Sequence, residues 1–496
     1  MDLAVVLVGV FCLLLSVVLW VRKRLTYWKE MGAPYEEPHF IFGNLKGVGI
    51  YDHDGQLTER FYRKHKNKGP FVGVYFFLSP VVIPTDLEFV KSILVKDFNY
   101  FHDRGIYFNE KDDPLSAHLF TLPGLRWKRL RTKITPAFTS GKMKLMFPIV
   151  VEVAQRLEDK ISKVAEVGAV MDVKAVMARF TMDSIGTCAF GLASNTLQDE
   201  SSEFFRVGMS VFDNPRHGTW FLFLLIAFRE LAGKLRFKLF RDEVTKFYTS
   251  IVRKTVDYRL ANNVQRNDYM DILIKLHTGA DEGPLTFNEL LSHAFVFHSA
   301  GFETSSTTLQ FCFYELACNP DIQERTRSHI LEVLEAHGGE LTYEAMVDMK
   351  YLDQVICETL RHYPPAGNHF REVTQDYKVP GTEFTLKKGT SVMVPVYAVH
   401  HDPEYYPDPL KFNPDNFADE NVKARPFAAY MPFGEGPRIC IGARFAMMQV
   451  KIGVIAGLRR YRYTVSTKTR QPLKLLSKIF LASVEGGIWL NVERIE

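Results

Sequence analysis

The sequence lacks the closely spaced cysteines that would hold a disulfide framework or a structural zinc ion. Its six cysteines are scattered over 496 residues and form no C-x-x-C pair. It also lacks a G-x-G-x-x-G stretch after a predicted strand, so nothing indicates a flavin or nicotinamide domain within this chain. We therefore expect free thiols in a reducing compartment. Any redox chemistry would draw its electrons from another protein.

An excess of charge of one sign is absent too. Lys and Arg number 61 against 57 Asp and Glu, a balance too even to indicate binding to nucleic acid. Hydrophobic residues make up 47% of the chain and charged residues 24%, which is typical of a globular protein and not of a disordered one. The length suits one large catalytic unit.

The N-terminus carries a long uncharged run from Leu3 to Val21. As a helix it would span roughly 28 Å, close to the thickness of a bilayer core. Basic residues at 22–24 follow the run, which places the rest of the chain in the cytosol. A cleaved signal peptide would instead carry its positive charge before the run. We predict an anchor over 1–24, a proline-containing linker over 25–45 and a catalytic domain over 46–496.

Hydrophobic periodicity predicts a mainly α fold with a small β-rich portion. Helices are expected at 143–167, 170–190, 240–261, 287–318, 321–336 and 352–361, and strands within 71–83, 391–399 and 479–490. The longest helix has a capping box at Thr286 and Glu289 and a stop signal at Asn319-Pro320. Residues 220–228 are very apolar but too short to span a bilayer. They are either a buried core segment or a surface that dips into the membrane interface.

Residues 433–442 read FGEGPRICIG. The glycines allow tight turns and close approach to a flat ligand, and the residues after Cys440 look helical. Cys440 would then lie just before a helix N-terminus, where free amides stabilise a thiolate. A structural cysteine in a glycine-rich turn is the alternative. The glycines together with Arg438 favour a ligand.

This stretch resembles the haem-binding signature of the cytochrome P-450 family, F-x-x-G-x-R-x-C-x-G, at every fixed position. The resemblance implies the cytochrome P-450 fold, a bound haem b (iron protoporphyrin IX) and Cys440 as the axial iron ligand. It further implies attachment to the endoplasmic reticulum membrane, with the catalytic domain on the cytosolic face.

A second resemblance lies within the long predicted helix. The sequence from Ala300 to Thr304, AGFET, resembles the family's oxygen-activation motif. This implies that Thr304 and Glu303 help to deliver protons to bound dioxygen. Taken alone, a threonine in mid-helix is commonly satisfied by a carbonyl of its own helix.

A third resemblance is the E-x-x-R motif at Glu358 and Arg361, which in this family forms a buried pair that supports the haem loop; an ordinary surface ion pair is the alternative. The family's third partner, usually an arginine, is replaced here by Asn416, so that contact would be neutral. His400-His401-Asp402 matches a family loop that holds no metal.

Basic residues are expected around the haem propionates. Trp127 and Arg131 share one helical face and suit a propionate, and Arg438 and Arg371 occupy family positions with the same task. A solvated surface charge is the alternative for each arginine. Residues 126–133 contain five basic residues, either a solvated helix face or a docking patch for an acidic redox partner. In the family that partner is the NADPH-dependent cytochrome P-450 reductase, sometimes helped by cytochrome b5.

Residues 109–120 and 138–144 resemble the insect microsomal branch that handles toxins, which is related to vertebrate drug-metabolising forms. Family topology implies an aromatic, apolar substrate pocket formed by Phe101, Phe108, Phe120, Phe212, Ala300 and Phe480. We expect an NADPH-dependent monooxygenase acting on lipophilic molecules such as plant toxins or insecticides, or on endogenous lipids or hormones. The alternatives are a haem-thiolate peroxide isomerase or dehydratase and a non-catalytic membrane haem protein.

Overall fold

The computed structural model describes residues 3–191, 194–266, 268–279 and 283–495. The chain is 56% helical with small sheets, which confirms the predicted fold class. The helices in chain order are α1 (Leu3–Arg24), α2 (Tyr27–Met31), α3 (Asp54–His65), α4 (Leu87–Lys91), α5 (Gly124–Ile134), α6 (Ser140–Glu166), α7 (Val173–Phe190), α8 (Glu203–Asp213), α9 (Thr219–Ala227), α10 (Arg229–Lys234), α11 (Asp242–Ala261), α12 (Tyr269–Thr278), α13 (Phe287–Cys318), α14 (Pro320–Ala336), α15 (Tyr343–Asp348), α16 (Lys350–His362), α17 (Val396–His400), α18 (Asp419–Ala424) and α19 (Ala443–Leu458).

The strands form small sheets at the edges of this helical body. They are β1 (Phe71–Phe76), β2 (Ser79–Pro84), β3 (Val170–Asp172), β4 (His369–Glu372), β5 (Tyr377–Lys378), β6 (Thr385–Leu386), β7 (Ser391–Val394), β8 (Tyr461–Val465) and β9 (Trp489–Arg494). The largest sheet has the order β1-β2-β7-β4, with β2 and β7 parallel and the other pairs antiparallel. A second sheet has the order β3-β9-β8, and β5 pairs with β6.

Three predicted segments differ from the structure. The predicted strand over 391–399 ends at Val394, because Pro395 lacks an amide donor and the helix α17 begins after it. The predicted helix over 170–190 begins with the short strand β3, which is held by β9. The apolar segment 479–490 is largely irregular, and only its end enters β9.

Helix α13 crosses the centre of the molecule and is buried on most of its sides. Its capping box at Thr286 and Glu289 is present. Helix α7 packs closely against it at Gly301, where a side chain would overlap with Ile185. This close packing holds the middle of α13 in a fixed position, with one face toward α7 and another toward an interior cavity.

The N-terminal helix α1 is almost wholly exposed, and within the described residues it is the one helix long and apolar enough to cross a membrane. The following segment docks on the body of the protein. Trp28 is fully buried, and its indole Nε1–H donates to the carbonyl of Val74 at 2.9 Å. Gly73 leaves the space that the indole ring fills. The predicted linker is therefore fastened to β1 at its start.

Helix α9 covers the apolar segment whose role the sequence left open. Its inner side belongs to the core, since Phe223 and Leu225 are buried. Trp220 lies on the other side, where 37% of its surface is exposed. One face of this helix is thus core, and the other presents an aromatic side chain at the surface.

Candidate functional site

An interior cavity of about 300 Å³ lies between α13 and the loop that carries Cys440. Ala300, Gly301 and Thr304 of α13 line one side, and Cys440 lies on the other. Helix α5, strand β4 and residues near Phe480 close the remaining walls. The cavity therefore brings together the predicted cysteine and the predicted oxygen-activation motif, which are separated by more than a hundred residues in sequence.

The Cys440 thiol borders this cavity while the protein surrounds it on its other sides. Burial raises the pKa of the thiol, whereas the amide of Gly442 and the guanidinium groups of Arg131 and Arg104 lower it. The amide and the two guanidinium groups favour the thiolate form of Cys440, whereas burial away from water favours the neutral thiol. Iron binding would deprotonate it outright.

The loop before Cys440 owes its path to glycine. Gly436 has φ of 71°, and a Cβ there would collide with the carbonyl oxygen of Leu94. The Cys440 amide donates to the carbonyl of Phe433 at 2.9 Å, which closes the loop. Helix α19 begins at Ala443, as predicted, so the cysteine precedes a helix N-terminus.

Four arginines converge at one rim of the cavity: Arg104, Arg131, Arg371 and Arg438. Their hydrogen bonds go to carbonyls: Arg131 donates to Ile439 at 2.9 Å, Arg371 to Phe370 at 2.8 Å, Arg104 to Phe120 at 3.0 Å, and Arg438 to His102 at 2.8 Å and to Leu122 at 2.9 Å. The guanidinium of Arg438 also stacks on the Trp127 ring, 3.9 Å from its centroid.

The charges of these arginines are poorly compensated by the protein. Burial and the neighbouring arginines lower the pKa of Arg104 well below its usual range and that of Arg438 to about 9. Burial lowers the pKa of Arg371 to about 10, and its Nε has no partner among the described residues. Among the described residues, the one carboxylate within 4.0 Å of these four guanidinium groups is that of Asp103, 3.6 Å from Arg438. The rim is therefore built for an anionic ligand, and the two propionates of haem fit it.

Arg104 was missed in the sequence. It lies in an irregular segment and belongs to no motif, and only the fold carries it to the rim beside Arg438. Its guanidinium also lies over the Phe120 ring, 4.3 Å from the centroid. In the sequence, Arg104 is marked only as a single basic residue near aromatic residues predicted to line the pocket. Such an arrangement is too common to identify a functional residue.

The two residues of the oxygen-activation motif face different surroundings. Thr304 lines the cavity, and its hydroxyl donates to the carbonyl of Ala300 at 2.7 Å. Glu303 instead turns toward α7, where its Oε1 lies 2.6 Å from Lys174 Nζ. Glu303 is buried, and its Oε2 has no partner within the described ranges. The acid thus lies behind the cavity wall, beside a cation that the sequence did not reveal.

The pair Glu358–Arg361 is fully buried and bidentate, with both N–O distances at 2.7 Å. Arg361 also donates to the carbonyls of His400 and Pro409 at 2.9 Å. Asn416 takes part as a neutral donor, its Nδ2 lying 3.2 Å from Glu358 Oε1. The surface-pair alternative is excluded by this burial, and the third contact is neutral, as the sequence predicts.

His400 links this pair to the segment before the cysteine loop. Its Nε2 accepts the amide of Met431 at 3.0 Å, so its Nδ1 carries the proton that is donated to the carbonyl of Arg361 at 3.2 Å. His401 bonds to the carbonyl of Tyr397 at 2.9 Å. His400 therefore braces the segment before the loop, whereas His401 bonds within its own helical turn.

Three of the six predicted pocket residues line the cavity: Phe120, Ala300 and Phe480. The other three, Phe101, Phe108 and Phe212, are not among the described residues that line it. Phe101 is fully buried against Tyr377, with ring centroids 4.8 Å apart. Phe212 packs on the Phe302 ring of α13, and Phe108 packs against the main core. These rings are taken up by core packing, which a sequence position alone does not show.

The basic segment 126–133 lies in α5, and several of its side chains already have hydrogen-bond partners. Arg126 contacts Glu110 at 2.9 and 3.0 Å, and Lys133 donates to the carbonyl of Gly283 at 2.9 Å. Lys128 and Arg129 are exposed, and Arg129 also donates to the carbonyl of Gly283, at 3.0 Å. The positive charge of Arg126 is therefore compensated by a carboxylate, whereas Arg129, Arg131 and Lys133 bond to neutral carbonyls.

Comparison with known proteins agrees with this site. The sequence model of the cytochrome P-450 family matches residues 33–490. The chain therefore belongs to the cytochrome P-450 family of haem-thiolate monooxygenases. It is similar to three proteins of Drosophila melanogaster: Probable cytochrome P-450 6a23 (46% identical over 99% of both chains), Probable cytochrome P-450 6a14 (45% identical over 95% of this chain and 96% of the relative) and Cytochrome P-450 6a9 (44% identical over 99% of both).

Proposed function

We propose that this protein is an NADPH-dependent monooxygenase that inserts one oxygen atom of O2 into lipophilic small molecules. Xenobiotics such as plant toxins or insecticides are the proposed substrates, with endogenous lipids or hormones as further ones. The observation that carries the proposal is the convergence of Cys440, Thr304 and the arginine rim on one largely apolar cavity.

In this proposal Cys440 is the axial ligand of the haem iron, and Trp127, Arg131, Arg371, Arg438 and Arg104 hold the propionates. A haem iron with a thiolate ligand supplies the binding and cleavage of dioxygen. The paired guanidinium groups neutralise the propionates in a setting where burial strengthens each interaction. Glu358 and Arg361 keep the loop in place through His400 and Met431.

Thr304 and Glu303 are the proposed proton-handling residues. The Thr304 hydroxyl faces the cavity, and because its own proton is donated to Ala300, its lone pairs are free to accept from a water or a ligand. Glu303 lies one position before Thr304 in α13, and its Oε1 is 2.6 Å from Lys174 Nζ. Lys174 thereby acts as a positioning residue for the acid.

The electrons are proposed to come from an NADPH-dependent cytochrome P-450 reductase, with cytochrome b5 as a second donor. Lys128 and Arg129 on the exposed side of α5 offer positive charge to an acidic partner. The helix also carries Trp127 and Arg131 to the cavity. A partner docked there would sit close to the propionate rim.

The proposed location is the endoplasmic reticulum membrane, with the catalytic domain on the cytosolic face. The helix α1 fits an anchor by its length and its composition, and the basic residues 22–24 form its last turn. We propose an anchor over 1–24, a linker over 25–45 and a catalytic domain over 46–496. Within the linker, residues 27–36 pack onto β1.

The competing functions are a peroxide isomerase or dehydratase and a non-catalytic haem protein. A panel of lipophilic compounds with reductase, NADPH and O2 separates them. We expect oxygenated products that require all three components. Product formed from a hydroperoxide without NADPH would support the isomerase, and the absence of any spectral response to the panel would support the non-catalytic protein.

A further inference from the structure

Arg425 lies directly after α18 and just before Pro426, on the segment that leads into the cysteine loop. Its guanidinium lies over two aromatic rings, 4.8 Å from the centroid of Tyr406 and 4.6 Å from that of Phe417. It also donates to the main-chain carbonyl of Asn416. Within the described residues its contacts are therefore two rings and one carbonyl, with no carboxylate to compensate its charge.

The two rings beneath Arg425 both contact the segment between α18 and the cysteine loop. Tyr406 is buried, and its hydroxyl donates to the carbonyl of Ala429 at 3.1 Å. Phe417 packs edge-on against Tyr430, with ring centroids 4.6 Å apart. The guanidinium of Arg425 is thus connected through these rings to the backbone that follows it.

The segment after Arg425 contains a strained turn over 426–429. Ala428 has φ of 65°, a left-handed conformation that residues with a Cβ rarely adopt. The amide of Ala429 donates back to the carbonyl of Pro426 at 3.2 Å, which closes the turn. Such a conformation persists only where its surroundings hold it. Arg425 lies at the start of this turn and Tyr406 is bonded to its end, so these two side chains hold it from both sides.

The position of this turn determines where the cysteine loop begins. Shortly after Ala428, the amide of Met431 donates to His400 Nε2 at 3.0 Å. The carbonyl of Phe433 then accepts the amide of Cys440 at 2.9 Å. Because these main-chain groups are bonded one after another, a shift of the turn would be passed on to the backbone of Cys440.

The contacts of Arg425 differ from those of the buried pair Glu358–Arg361. That pair is closed by two bonds of 2.7 Å, and its contact with the side chain of Asn416 is neutral. Arg425 adds a positive charge at the same junction, because its guanidinium and that of Arg361 lie 4.8 and 4.9 Å from the Tyr406 centroid. A cation over a buried ring is stabilised more than one at an exposed site.

We propose that Arg425 is a positioning residue for the thiolate ligand: it holds the turn over 426–429 and thereby keeps Cys440 in place for the haem iron. This inference rests on the proposed function, because it takes Cys440 as the iron ligand. Arg425 is not among the described residues that line the cavity, so it acts through the main chain and not on haem or substrate.

The stability of the strongly red-shifted Soret band of the reduced carbon monoxide complex tests the proposal in the full-length holoprotein. The band reports a thiolate on the iron, and far-ultraviolet circular dichroism at the same temperature reports the helical fold. Arg425→Gln removes both ring contacts, so the band should be lost about tenfold faster. The helical signal should meanwhile stay as in the wild type.

The matched control is Arg253→Gln. Arg253 lies over the Phe287 ring, 4.1 Å from its centroid, but it belongs to α11. This variant removes the same kind of contact at a distant site and should lose the band at the wild-type rate.

Two further variants test how Arg425 acts. Arg425→Lys keeps the charge but not the planar group that covers both rings, so it should lose the band more slowly than Arg425→Gln does. Ala428→Gly removes the strain that Arg425 opposes, because glycine adopts positive φ freely. Arg425→Gln combined with Ala428→Gly should therefore recover most of the lost stability of the band.

A wild-type rate of band loss in Arg425→Gln would overturn the inference and leave the iron site intact. A band that disappears only together with the helical signal would also overturn it, since Arg425 would then stabilise the whole fold. A double variant that loses the band as fast as Arg425→Gln would contradict the role of the strained turn and overturn it too. A wild-type protein without the red-shifted band would instead refute Cys440 as the ligand, and both proposals with it.

Discussion

Replacing Lys174 by methionine tests the contact that holds Glu303. Lys174 Nζ lies 2.6 Å from Glu303 Oε1, and also 3.3 Å from the hydroxyl of Ser306 and 3.2 Å from that of Thr307. The Glu303 side chain is only 4% exposed. Lys174→Met therefore leaves a buried carboxylate without its cation while keeping most of the apolar volume.

The expected cost follows from this burial. Removing one partner of a buried ion pair costs about 3–5 kcal/mol, because the remaining charge is uncompensated. A domain of about 450 residues loses about 1 kcal/mol of stability for each degree that Tm falls. We therefore expect Tm of the holoprotein to fall by about 3–5 °C. The conversion assumes that the catalytic domain unfolds as one unit.

The double variant distinguishes a lost ion pair from a packing defect. Glu303→Gln removes the stranded charge, so Lys174→Met with Glu303→Gln should recover most of the lost Tm. Lys160→Met breaks an exposed pair with Glu200 and should change Tm by less than about 1 °C. If the decrease in Tm of the double variant equals the sum of the decreases in the two single variants, the reasoning is refuted.

Three other predictions test different parts of the molecule. Thr304→Ala should keep the haem spectrum but consume more NADPH per product, whereas Thr304→Ser should retain coupling; equal coupling in both would remove the hydroxyl from the mechanism. Gly301→Ala should lower the free energy of unfolding by about 1–3 kcal/mol, because its Cβ would overlap with Ile185. Gly233→Ala, which places a Cβ in open space, is the control. Equal Tm values for the two variants would contradict the packing argument. Burial lowers the pKa of His298 from 6.5 to about 3, so the unfolded chain binds the extra proton as pH falls through 6.5. Stability should then drop by about 1.4 kcal/mol at pH 5.5 on account of this residue. The loss of Tm between pH 7.5 and 5.5 should be smaller in His298→Phe than in the wild type, and an identical loss would contradict the linkage.

The sequence predicted best where a pattern is local. The long helix α13 begins and ends at the predicted residues, because its capping box and its stop signal are both contained in the sequence. The conformation of the cysteine loop could be predicted equally well, because its glycines and the helix that follows it determine the path of the backbone. The strand predicted over 391–399 was too long, although Pro395, which has no amide donor, indicated that it would end at Val394.

Contacts between distant segments could not be predicted from the sequence. Lys174 carries no motif, and only the packing of α7 on α13 brings it to Glu303. Arg104 reaches the arginine rim of the cavity for the same reason. Phe101 and Phe212 were predicted in the pocket because of their positions, but aromatic side chains pack equally well into a core, and only the three-dimensional arrangement decides between the two.

The central claim is that Cys440 binds the haem iron as a thiolate. The most direct measurement is the difference spectrum of the reduced protein with carbon monoxide. In Cys440→Ala the strongly red-shifted Soret band should be absent, while Cys312→Ala, which alters a buried cysteine of α13, should keep it. A red-shifted band that persists in Cys440→Ala would contradict the account.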